Sequence, residues 1–427
     1  MKTLRTRPLM LANWKIPLIY TSVTLLVGLF FPRFEHHFMP RMISSMSPAA
    51  AMAICSAIAS GMIALTGIVF SLTFLMVQFS ATAYSPRLVM WVAREPVVSH
   101  ALGVFIATFL YAVSMLAWVD RSTSGKVPFI SAWMVLGLLV VSMGMFVALV
   151  ERIGMLQVNR MLIFTGNRGR AAITEVYSSE RWAMAADQAA DYRKLGVTQT
   201  IRHSGRPRII QAVRTADLVE LARQSDSVVE FIAAVGDTVL EMTPLLRVYG
   251  AREPLDEAAL KDAIEVGSER TFEQDPQYAL RLLVDIGIKA LSPAINDPTT
   301  AVQALDQIED LLIRLGQHNL EIGSFRDHEG TLRVILPHPT WENFLRLALD
   351  EIHSYGAGSV QVMRRMKALT KNLLSVLPPE RHAALRHWEQ ELQESIARSF
   401  VDMDEQIAAS IPDRQGLGLG HEESKGS

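Results

Sequence analysis

The chain has 427 residues and a formal net charge of −2, with 50% hydrophobic and only 20% charged residues. Residues 1–150 hold 10 Lys+Arg and 3 Asp+Glu, whereas the remaining 277 hold 31 and 40. The first part is too poor in charge for a soluble globule and the second is ordinary, so two physical environments share the chain. A lone cysteine, Cys55, excludes disulfides and multi-cysteine metal or redox sites. An acidic C-terminal two thirds without a basic arm argues against nucleic acid as a partner.

Four stretches meet the length needed to cross a ~30 Å hydrocarbon core: about 16–31, 49–79, 97–119 and 128–150. The first ends in Phe30-Phe31-Pro32 rather than in small residues, so it is read as a retained span and not a cleaved leader. Lys2, Arg5, Arg7, Lys15, Arg87, Arg94, Arg152, Arg160, Arg168 and Arg170 fall on one side, against Arg33, Arg41, Arg121 and Lys126 on the other. The positive-inside rule then places both termini in the cytoplasm, with a lipid bilayer as the chain's surroundings. Trp14, Trp118 and Trp133 lie near span ends, where amphipathic rings favour the headgroup level.

Span two carries the most information. Ala53, Ala57 and Gly61 recur at four-residue spacing, and Ala64, Gly67 and Ser71 continue roughly that face. Small residues at this period let helices approach closely in lipid, within one four-helix unit or between copies of a homo-oligomer. The sharper expectation is a pore-lining helix with Thr66, Ser71, Thr73 and Gln78 facing water. No span has an Asp, Glu, Lys or Arg at its middle, which weighs against proton-coupled pumping and voltage sensing.

Residues 152–196 read as a helical juxtamembrane linker whose basic stretch, Asn167–Arg170, anchors at the membrane. A small β-rich module is expected over 197–250, with strands at Arg208–Val213, Ser227–Ala233 and Thr238–Val248. Its phrase Val235–Val248 resembles part of the β-sandwich of lipoyl and biotinyl domains. No lysine lies between Lys194 and Lys261, so covalent cofactor attachment is excluded and the resemblance implies a scaffold. Residues 251–411 read as mainly helical, with runs at Ala258–Val266, Pro276–Leu291, Thr299–Leu315, Trp341–Tyr355, 360–376 and 379–409, and a short hairpin around 327–336. The tail, 412–427, reads as disordered, and its Gly416, Gly418 and Gly420 follow no strand, so a dinucleotide fingerprint is rejected.

The connector Ser292-Pro293-Ala294-Ile295-Asn296-Asp297-Pro298-Thr299-Thr300 has two readings. Asp297 caps the next helix with Pro298 in its first turn. Alternatively Ser292, Asn296, Asp297, Thr299 and Thr300 surround an anion at the helix start.

Three strings, Gly61–Arg87, Asp285–Ala301 and Leu332–Tyr355, together with the four spans resemble a bacterial family of predicted membrane proteins containing a domain of unknown function. The likeness covers nearly the whole chain except the tail. It implies an integral protein of the bacterial cytoplasmic (inner) membrane and supplies no activity.

The fold expected is therefore mainly α: an N-terminal four-helix transmembrane unit, then a cytoplasmic α+β region with a small β module and a C-terminal helical domain. The function expected is a homo-oligomeric channel or transport-related protein with a ligand-sensing cytoplasmic domain. Its alternative is a membrane-anchored scaffold that recruits a soluble partner of unknown identity. No cofactor, metal or catalytic residue is assigned, because no P-loop, H-E-x-x-H or G-x-S-x-G string is present.

Overall fold

The computed structural model describes residues 15–39, 44–83, 96–121, 127–153, 158–177 and 192–418. Trp14, Lys2, Arg5, Arg7, Arg41, the Ser85–Arg87 string, Arg94, Lys126, Gly420 and the expected linker residues 178–191 lie outside them. The chain divides into two compact units, Met1–Gln157 and Val158–Ser427.

Among its described residues the first unit contains four helices long and apolar enough to cross a membrane: α1 (Lys15–Phe38), α2 (Pro48–Ala83), α3 (Pro96–Arg121) and α4 (Phe129–Ile153). Half of the α3 span is buried, against 11–22% of the other three, so α3 is the post on which they pack. Hydrogen bonds typical of helices in lipid support the seams. Thr108 of α3 meets Ser142 of α4 at 2.8 Å, and Tyr20 of α1 meets His100 of α3 at 3.3 Å. Gly103 lets α1 close in, since a Cβ there would stand 2.5 Å from the Tyr20 ring.

Helix α1 corrects the sequence reading. It does not stop at Phe31; it continues through Pro32, which lies within the helix, to Phe38. Membrane helices tolerate an internal proline where neighbours absorb the freed backbone groups. The extra turns carry Glu35, only 1% exposed, onto the start of α4. Its carboxylate accepts from Ile130 N at 2.6 Å, Ser131 N at 2.9 Å and Ser131 Oγ at 2.6 Å. These are orphan donors of a helix start, and a carboxylate also suits the positive end of its dipole.

In the second unit, five strands form a sheet in the order β1-β5-β3-β8-β7, and three form another in the order β4-β2-β6. They are β1 (Val197–Arg202), β2 (Arg208–Val213), β3 (Val228–Phe231), β4 (Thr238–Val239), β5 (Pro244–Tyr249), β6 (Ile264–Gly267), β7 (Ser324–Arg326) and β8 (Leu332–Ile335). All pairings are antiparallel except β3 with β8. Ile201, Ile210, Val229, Leu246 and Val334 from both sheets share one core with Leu218 of α6 (Thr215–Gln224).

The β region therefore does not close at residue 250 as expected. Strand β8 of the predicted hairpin adds in parallel to β3, and β6 pairs with β2. The expected helix over Ala258–Val266 is cut to α7 (Glu257–Asp262), because Ile264–Gly267 joins that ladder.

Besides α6 and α7, the described helices of this unit are α5 (Val158–Tyr177), α8 (Pro276–Ala290), α9 (Pro298–Gln317), α10 (Trp341–Gly356), α11 (Val360–Val376), α12 (His382–Ser399) and α13 (Met403–Ser410). Helix α9 is their centre, with Ala301, Ala304, Leu305, Ile308, Leu311 and Leu315 fully buried. Helix α5 is part of this core rather than a linker. A Cβ on Gly169 would stand 2.7 Å from Leu311 and 2.9 Å from Ala279, and Arg170 pairs with Asp310 at 2.6 Å. Arg170 is thus committed to protein, not to lipid headgroups. The tail also departs from expectation over 412–418. Asp413 is buried and accepts from the backbone N–H groups of Gln415, Gly416 and Gly418, and its own N–H reaches Arg364 O.

Two outcomes follow. Glu35→Ala strands buried donors at the α4 start and should lower resistance of the membrane unit to denaturant by about 1–3 kcal/mol; an unchanged midpoint would contradict the capping role. Burial lowers the His338 pKa to about 4. An unfolded histidine takes its proton near 6.5, so acidification from roughly 6.5 towards 4 favours unfolding. His338→Gln should make the fall of the unfolding midpoint over that range shallower than in the parent chain.

Candidate functional site

Helix α2 is read first from its seated side. Ala51, Cys55, Ile58, Ala59, Met62 and Val69 are buried. Thr66 and Thr73 belong to that side as well: each is partly buried and donates to its own helix, to Met62 O and Val69 O, both at 2.7 Å. A hydroxyl satisfied by the carbonyl four residues back offers little to a permeant solute. The expected water-facing set therefore splits, and Thr66 and Thr73 are not on the face that carries Ser71 and Gln78.

The small residues point the other way. Ala53, Ala57, Gly61, Ala64, Gly67 and Ser71 are all exposed, as is Gln78. A Cβ on Gly61 or Gly67 would meet nothing within 4 Å. Of the two plainer expectations for this stripe, that exposure favours a contact between copies over packing inside the four-helix unit. At about 100° per residue, Ala53, Ser60, Ala64, Gly67, Ser71 and Gln78 fall within a sector of roughly 60°. Larger exposed side chains border the sector, Ile63, Phe70 and Phe74 on one flank and Ile68 on the other.

Sequence reasoning missed Ser56 and Ser60, which are exposed on this face. With Ser71 they have no hydrogen-bond partner among the described residues. A helical projection centred on Ala53 and Ser71 would have found both. An unpaired hydroxyl in an apolar medium costs about 1–3 kcal/mol, so three on one face favour contact with water or with another polar surface.

The connector between α8 and α9 has a different character. Asp297 caps α9, accepting from Thr300 N at 3.1 Å and Thr300 Oγ1 at 2.6 Å. Ser292 Oγ donates to Lys289 O at 2.7 Å, and the N–H groups of Ile295 and Asn296 return to Ser292 O. Asp297 N closes on Ala290 O at 2.8 Å. Asn296 takes a φ of 50°, a left-handed turn that asparagine tolerates better than most residues. Asn296 and Thr299 are exposed, and their side chains make none of these bonds. The backbone N–H groups of 295–297 and 300 and the hydroxyls of Ser292 and Thr300 are bonded within the loop, a geometry that suits capping and the turn between α8 and α9. No group of three or more His, Cys, Asp or Glu able to hold a metal occurs among the described residues.

Four apolar helices and this mixed α/β unit define an integral membrane protein with a large polar attachment. The chain belongs to the family described as "Predicted membrane protein (DUF2254)", whose pattern matches residues 12–372. Uncharacterized proteins of Mycobacterium bovis and Mycobacterium tuberculosis are similar to it, each 26% identical over 368 residues, covering 83% of this chain and 70% of their own. No solved structure matches the chain.

Asp297→Ala should destabilise the second unit by about 0.5–2 kcal/mol, as for other caps. Thermal shift in the presence of phosphate, nucleotides or carboxylates should be the same for variant and parent; a ligand-induced stabilisation abolished by the substitution would revive the anion site.

Proposed function

We propose that this chain forms a homo-oligomer in the bacterial cytoplasmic membrane, in which the outward face of α2 meets other copies and lines a water-accessible path. The observation that carries the reading is the row of unpartnered Ser56, Ser60 and Ser71 hydroxyls beside Gly61 and Gly67. In lipid those hydroxyls can turn only to carbonyls of their own helix, whereas water or the polar face of a second helix offers them outside partners. Small side chains permit close helix approach where copies touch, and leave room for solutes where they do not.

The basic residues around the spans favour cytoplasmic termini, so the second unit lies in the cytoplasm in this arrangement. It carries no catalytic constellation that we assign, and its role here is to bias the membrane assembly. Helix α5 suits mechanical coupling: only residues 154–157 separate α4 from α5, and Gly169 and Arg170 lock α5 to the centre of its own unit.

Two measurements test the reading together. Gly67→Cys in a Cys55→Ala background should form intermolecular disulfides in membranes, and Thr73→Cys should not. Purified protein in liposomes should pass small ions or solutes, and Gly67→Leu should reduce that flux without loss of folded protein. Efficient cross-linking without conductance over varied voltage, tension and pH would leave a membrane-anchored oligomeric scaffold. Absence of both would remove the oligomer as well.

A further inference from the structure

Two turns at one end of the β region are laced together. Residues 203–207, between β1 and β2, lie against residues 240–243, between β4 and β5. His203 N donates to Thr243 O at 2.8 Å, and Met242 N donates back to His203 O at 3.0 Å. Arg202 Nη1 donates to Met242 O at 2.9 Å, and Gly205 N donates to the Glu241 carboxylate. The His203 ring is buried and bonds to Arg206 O at 2.9 Å. This network holds Met242 at a φ of 64°, a left-handed backbone that a long side chain seldom adopts without support.

The consequence is a fixed tip. Leu240 and Met242 are 54% and 60% exposed at its end. Around them stand Arg202, Arg206 and Arg208, all exposed. None of the three forms an ion pair among the described residues, and Glu241 is the one acidic residue in 202–208 and 238–244. Exposed aliphatics are poorly served by bulk water, and here they share a tip with three arginines and a single carboxylate, Glu241. Guanidinium groups favour phosphate, which they can grip with two parallel hydrogen bonds. Aliphatic side chains favour the boundary between headgroups and acyl chains. An anionic bilayer surface offers both, and a chain already anchored by four spans meets that surface at high effective concentration.

We propose that this tip docks on an anionic lipid bilayer, with Arg202, Arg206 and Arg208 on headgroup phosphates and Leu240 and Met242 in the interfacial layer. The inference rests on the β-region turns alone and stands independently of what α2 does.

The test uses the full chain carrying Cys55→Ala and Leu240→Cys, labelled with an environment-sensitive dye. It is reconstituted in vesicles of phosphatidylcholine alone or mixed equally with phosphatidylglycerol. Docking should shift the emission to the blue, and expose the dye to quenching by brominated acyl chains, in the mixed vesicles only. Arg206→Gln and Arg208→Gln should each lower the docked-to-free ratio about fivefold, and added salt should lower it further. Equal emission in both vesicle compositions would overturn the proposal. So would a blue shift that persists in neutral vesicles and grows with protein concentration, which assigns the tip to a protein contact.

Discussion

Thr66 and Thr73 donate to the carbonyls of Met62 and Val69 at 2.7 Å, and Val69 is fully buried. Both threonines are half-buried beside Met62 and Val69, on the side of α2 that seats in the membrane unit. With that side occupied, the helix has no freedom to rotate its small residues inward. The outward position of Ala53, Gly61, Gly67 and Ser71 follows from the seating, since residues on a helix keep fixed angular relations. What those residues can meet is then limited to lipid, water or another protein, and the unpartnered serines weigh against lipid alone.

The same constraint, that polar groups in hydrocarbon need partners, explains the other end of the unit. Glu35 is buried with no ion pair among the described residues, and three donors at the start of α4 bind its carboxylate. The seams of α3 show smaller versions of that arrangement at Thr108–Ser142 and Tyr20–His100. In the second unit, charged groups are settled by pairing. Arg365, nearly buried, binds Asp306 and Glu309 between α11 and α9, and Arg281 of α8 grips Asp285 and Glu351. Such pairs add less to stability than to the choice of one helix arrangement over its alternatives.

Much of this was legible in the sequence, where a pattern and its physical cause coincide. Uninterrupted apolar runs marked the spans, and the 3.6-residue periodicity of Val302, Leu305, Ile308 and Leu312 marked α9. The capping reading of Asp297 needed only local chemistry, and the bond to Thr300 N agrees with it. What failed depended on distant partners. Pro32 stops a helix in water, but α1 runs on to Phe38. The amphipathic run after Ala258 gave way to a strand because β2 was there to pair with it. The pairing of β3 with β8 joins residues about a hundred positions apart, which no local window reveals. On α2 the small-residue spacing is visible, but no local pattern says which face α3 takes, so the sequence alone groups Thr66 and Thr73 with Ser71.

The most direct test is the periodicity of water access along α2. Single cysteines placed at Ser60, Ala64, Gly67 and Ser71 in a Cys55→Ala background should react with a membrane-impermeant thiol reagent in intact membranes. Cysteines at Thr66 and Thr73, seated within the unit, and at Ile63 and Phe70, on the lipid-facing flank, should stay protected. A uniform lack of reaction at all eight positions would contradict the account and leave the outward face of α2 to lipid.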